Sequence, residues 1–276
     1  MADAATIGVL RDLAILVSIA GLLGLLGYRM LRLWRPHVAW NQEGLVLSSP
    51  YGLPDLLLLT GLGVFFIVAM HPHEGGQGAA NMSAGSLVAS MAFNLVVCAG
   101  LLMYLLRVRG LNPAELFGLQ RLHLRPLLTV VATFAVISLI CVNVVSAFTV
   151  LWLKDVWPDL QPQETVKAFQ ESGGFMFRFL VIVAAVVIAP LAEEVLFRGF
   201  VYGVLKRYTD APFAALSSSL MFAVIHMHVG SLAPLWILAV LFCIAYEVTG
   251  CLLAPMLLHM IFNGTSILLM QFLPQQ

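Results

Sequence analysis

Six polar side chains fall inside apolar stretches where they should be costly to keep: Glu193, Glu194 and Arg198, then His226, then His259 and Asn263. An ionisable group inside a spanning helix costs about 2.5–3.5 kcal/mol on insertion scales, so it persists when paired, hydrated or functional. Glu194 and Arg198 are four residues apart, share a helix face and can pair. Glu193 is turned about 100° from Glu194 by the helix repeat and has no local cation. A poorly solvated carboxylate holds a proton more readily, which suits a general base. Pro190, just before the pair, should kink the helix or free a carbonyl. His259 and Asn263, also four apart, present two polar groups on one face. His228 stands nearer the end of its segment and reads as interfacial.

Taken singly, each feature reads as a buried clasp or as interhelical hydrogen bonding. Together they supply a spare carboxylate, two imidazoles and a carboxamide on three helices, and the chemistry such a set can do is hydrolysis. Glu193 and His226 would position and deprotonate a water, and His259 and Asn263 would stabilise a tetrahedral intermediate. Glu194 and Arg198 would orient the helix and offset charge. Zinc is the competing reading, because one Glu and two His suit that ion. HExxH is absent, however: Asn263 stands four residues after His259. The metal-free arrangement, with no cofactor, is preferred.

The elements that must position these groups are helices. Of the 276 residues, 61% are hydrophobic and 10% charged, with mean hydropathy +0.97, against about 25% charged in soluble domains. The apolar residues come in runs near the ~20 residues that span a bilayer. In hydrocarbon the backbone must satisfy itself, so the fold is all-α, a polytopic transmembrane bundle of about eight spanning helices. The segments are read at 10–33, 51–71, 84–107, 126–152, 175–206, 212–229, 232–249 and 251–272. Residues 1–125 form N-terminal helices and a cytoplasmic linker, and 126–276 the catalytic core. A formal net charge of zero gives no sign of a nucleic-acid partner. Cys98, Cys141, Cys243 and Cys251 lie in apolar runs and form no disulfide framework. The first apolar run is too long for a cleaved signal peptide and lacks a small-residue cleavage site.

Orientation follows from Lys/Arg bias. Arg29, Arg32 and Arg35, then Arg107, Arg109, Arg121 and Arg125, then Lys206 and Arg207 fall on one side of the ladder, read as cytoplasmic. Eight spans then place both termini outside. Residues 107–125 read as an interfacial linker with a helix start at Asn112-Pro113, and 153–174 as an amphipathic surface piece, either a solvated loop or a lid. The ladder also raises a conflict. It puts Glu193 in the cytoplasmic half, His226 toward the outer end of the next helix and His259 back in the inner half, unless 212–229 does not fully span.

EEVLFRG (193–199), FAVIH (222–226) and HMIFN (259–263) resemble, in order and spacing, the motifs EExxxR, FxxxH and HxxxN of the CAAX protease and bacteriocin-processing (Abi) family of intramembrane endopeptidases. The resemblance covers about 175–270. It implies a helical membrane fold with a water-filled site. Glu193 and His226 would activate water, and His259 and Asn263 would form the oxyanion hole. Some members of that family trim prenylated CAAX proteins; others process peptides, regulate sensors or serve in bacteriocin immunity. The expected partners are the lipid bilayer and a membrane-associated peptide or lipidated protein substrate. The expected place is the plasma membrane of a prokaryote or the endoplasmic reticulum of a eukaryote. The alternative from another class is a non-catalytic scaffold or immunity protein that binds a peptide in the same cavity. A proton-coupled transporter is a third reading, against which stands the lack of visible repeat symmetry.

Overall fold

The computed structural model describes residues 44–69, 83–121, 123–153 and 174–272. The segment read at 10–33 and nearly all of the amphipathic piece at 153–174 lie outside them. Among the described residues the fold is helical, with no strand. The helices are α1 (Leu53–Ala69), α2 (Ala84–Val108), α3 (Pro113–Leu116), α4 (Leu124–Leu153), α5 (Phe175–Tyr208), α6 (Ala211–Ile225), α7 (Val229–Thr249) and α8 (Leu253–Phe272). Five of them, α2, α4, α5, α7 and α8, are long and apolar enough to cross a membrane, and α1 and α6 are shorter apolar helices.

Local chemistry explains the starts. Ser83 caps α2 in a reciprocal box with Ser86. The Asn112 side chain accepts from the Ala114 amide ahead of Pro113, and Asp210 accepts from Phe213 at the head of α6. Between helices, lipid supplies no hydrophobic drive, so close packing and polar contacts must do the work. The contacting faces accordingly hold fully buried small residues, among them Ala214, Ala239, Ala245 and Ala254. α7 packs on α4 and α6, and α8 on α4, α5 and α7.

The arginine- and lysine-bearing end is interlocked. Lys206, fully buried, donates to the Val46 carbonyl at 3.0 Å and to Glu247 Oε1 at 2.5 Å, and Tyr202 donates to the same Glu247 oxygen. Arg109 bridges Asp55 at 2.9 Å and the Pro50 carbonyl at 3.3 Å. The linker docks through the Leu252 amide, which donates to the Phe117 carbonyl at 3.0 Å. Gly118 carries a φ of +69°, and a Cβ there would lie 1.7 Å from the Gly250 carbonyl oxygen, so only glycine permits the approach.

The depth conflict of the ladder disappears. α6 has 15 residues, about 22 Å of helix, and stops short of a full span. His226 closes it and Met227 takes a left-handed φ of 50°, turning the chain into α7. α5 runs for 34 residues, about 50 Å, which leaves Glu193 near its midpoint.

Candidate active site

The site is built around a break in α5. The backbone departs from α register at Ala184–Ile188 and again at Val195–Tyr202, leaving the Glu193–Glu194 pair on a short α-helical piece between two π-type stretches. Such stretches concentrate at functional sites because they re-aim side chains. The break has an identifiable consequence upstream. The Ala189 amide, which would serve Ala185 in a regular α-helix, reaches Ala184 instead. The next candidate, Pro190, has no N–H. The Ala185 carbonyl is served from α8: Asn263 Nδ2 donates to it at 2.8 Å. The carbonyl that Pro190 was expected to free is therefore held by a residue of the third motif.

Glu194 is fully buried and is the hub of the charges. Its Oε1 accepts from Arg198 at 3.0 Å and from His259 Nδ1 at 2.9 Å. Arg198, also buried, donates to the Ala239 carbonyl at 3.1 Å, and its guanidinium lies between the rings of Phe222 and Phe242, 4.7 and 5.1 Å from their centroids. That sandwich keeps a desolvated cation against two π faces. Phe242 also packs on the His259 ring at 5.0 Å, and Phe222 on His226 at 4.7 Å and on His259 at 5.9 Å.

The remaining expected groups line up around this hub. Glu193, about a quarter exposed, faces His259, with Oε2 3.9 Å from Nε2. The tertiary fold thus gives Glu193 an imidazole neighbour from α8. His226 joins the cluster through the Phe222 ring, and its Nδ1 is 2.7 Å from the Phe222 carbonyl. Both a carbonyl and a carboxylate accept only, so Nδ1 carries the hydrogen in His226 and in His259. Each ring then presents Nε2 away from its anchor. His228 bonds Ser231 at 2.8 Å at the start of α7. Among the described residues no group of three or more His, Cys, Asp or Glu is placed to hold a metal ion.

Sequence reasoning missed three partners: Phe242, the Ala185 carbonyl, and the double use of Glu194. Phe242 sits in an apolar run with nothing to mark it. The Glu194–His259 bond joins residues 65 apart in sequence. Only the carbonyl left a signal, in Pro190.

Carboxylates, two imidazoles and a carboxamide are thus brought together from α5, α6 and α8 of the helical bundle. Residues 175–265, about a third of the chain, match the family model described as Type II CAAX prenyl endopeptidase Rce1-like. This stretch carries all three motifs, and the family resemblance holds there. A relative from Bacillus subtilis (strain 168), named "Putative membrane peptidase YdiL", is 30% identical over 95 residues, covering 34% of this chain and 38% of that protein. The match therefore spans well under half of the relative's length. No solved structure matches the chain. With its apolar helices, the chain is an integral, multi-pass membrane protein, and its residues 175–265 are similar to CAAX prenyl endopeptidases.

Proposed function

We propose that the protein is a glutamate-dependent intramembrane endopeptidase that hydrolyses a peptide bond in a membrane-associated peptide or protein, with prenylated CAAX-type C termini as the first substrate class to test. The observation that carries this reading is the approach of Glu193 Oε2 to His259 Nε2 at 3.9 Å, with His259 held from behind by the buried Glu194. Residues 126–276 would form the catalytic core, and 1–125 the helices and linker that brace it.

Glu193 takes a proton from a water as the water oxygen attacks the scissile carbonyl carbon. His226, anchored through Nδ1, offers the Nε2 lone pair to the same water. The carbonyl oxygen becomes an oxyanion. His259 can donate to it only as imidazolium, because its Nδ1 hydrogen already serves Glu194. Glu193, Glu194, Arg198 and His259 then sum to zero, which suits a poorly solvated cluster. Asn263 gives one amide hydrogen to Ala185 and has a second for the oxyanion. Glu193 finally returns its proton to the leaving amine nitrogen as the C–N bond breaks. Glu194 and Arg198 act through His259 and the helix, as positioning residues.

Purified protein in detergent, given a quenched fluorescent farnesylated CAAX peptide beside its unprenylated twin, tests the substrate class. Cleavage of the farnesylated peptide alone assigns a lipidated tail, and cleavage of both assigns a peptide substrate. No cleavage of either by folded protein, with biological function retained in Glu193→Gln, would replace the reading by peptide binding.

A further inference from the structure

The family match begins at residue 175, yet a residue far upstream reaches into the site helix. Tyr51 is buried, and its hydroxyl donates to the Gly199 carbonyl inside the second π-type stretch of α5. The Gly203 amide, which would serve Gly199 in a regular α-helix, reaches Phe200 instead. The phenol thus occupies a carbonyl at the point where the register departs from α, in the same way that Asn263 does above Glu193.

The fit is tight on both sides. A Cβ on Gly203 would lie 2.4 Å from the Tyr51 ring, and one on Gly199 2.9 Å from the Phe117 ring. Phe200 meets Tyr51 edge-on at 6.0 Å. The backbone around Tyr51 is itself clamped: Lys206 and Glu247 hold Val46, and Arg109 holds Pro50. Tyr51 is therefore presented to α5 from a fixed platform.

We propose that Tyr51 is a positioning residue for the site: its phenol holds the π-type register of Val195–Tyr202 and so sets the rotation of Glu193 and Glu194 about the α5 axis. The proposal rests on the peptidase reading above. A π-type stretch carries an extra residue, and its reversion to α register turns one end of the helix against the other by about one residue, near 100°. The far end cannot follow, because Tyr202 and Lys206 are tied to Glu247. The strain of losing the phenol falls on the Glu pair.

The test is Tyr51→Phe, which keeps the ring and removes the hydroxyl, read by kcat, KM and backbone hydrogen exchange over residues 194–206. The expected result is a kcat lower by about tenfold to a hundredfold with KM within about twofold, and faster exchange in that segment. Gly203→Ala, which pushes the ring out from the α5 side, should give the same pattern and serves if Tyr51→Phe fails to accumulate. Cleavage and exchange both unchanged in Tyr51→Phe would overturn the proposal while leaving the peptidase reading intact. If wild-type protein cleaves no substrate, that reading fails by itself, and exchange alone decides: faster supports the role of the phenol, unchanged refutes it.

Discussion

His259 Nδ1 donates to Glu194 Oε1 across 2.9 Å, tying α8 to α5 at the level of the site. The same oxygen takes the Arg198 guanidinium at 3.0 Å, so one buried carboxylate fixes the His259 ring and a cation together. Glu194→Gln keeps an acceptor and loses the negative charge beside the His259 ring. Hydrogen-bond partners of metal-bound imidazoles are worth about tenfold to a hundredfold, and the same scale is expected for the partner of His259. The expected outcome is a fall of that order in kcat with a much smaller change in KM, measured by steady-state kinetics on one fluorogenic peptide. An unchanged kcat would remove Glu194 from the mechanism.

Arg198 is predicted to matter first for stability. Removing one partner of a buried ion pair leaves the other uncompensated and costs about 3–5 kcal/mol. Arg198→Ala should therefore lower the thermal midpoint sharply in fluorescence-detected size exclusion. Arg198→Lys should fall between Ala and wild type. Lysine keeps a charge for Glu194, yet a compact ammonium cannot also reach the Ala239 carbonyl and fill the slot between Phe222 and Phe242.

Asn263 and Pro190 should be energetically coupled. Asn263→Ala leaves the Ala185 carbonyl without its donor, a loss of about 1–3 kcal/mol. Pro190→Ala restores an N–H at the break, so the second substitution should cost less in that background. A double-mutant cycle on thermal stability is expected to give a coupling of about 0.5–3 kcal/mol. Additive effects would mean that the two residues answer separate needs.

Much of the fold was legible in the residues. Hydropathy located the described helices within a few positions, and Asn112-Pro113 marked the start of α3. The i,i+4 spacing marked the Glu194–Arg198 pair. The end of α6 was not legible, because Met227 turns the chain with a left-handed φ and no glycine announces it. The reading to 229 overran the helix, and the apparent clash of depths came from that overrun. Glu247 and Asp55 were passed over, although each is a carboxylate at the edge of an apolar run. Their partners, Lys206 and Arg109, lie 41 and 54 residues away in sequence, beyond the reach of local spacing. Glu193 was read as having no local cation, and the helix repeat could not reveal that α8 brings the His259 ring beside it.

The account stands on Glu193 as the group that activates water. The decisive measurement is single-turnover cleavage of a fluorogenic membrane peptide by wild type and Glu193→Gln, each with and without chelator, on protein shown to be folded by size exclusion. The account predicts cleavage by wild type that is unaffected by chelator, and a loss in Glu193→Gln of at least about a hundredfold, as expected when a general base is removed. Cleavage retained in Glu193→Gln, or abolished in wild type by chelator, would contradict it.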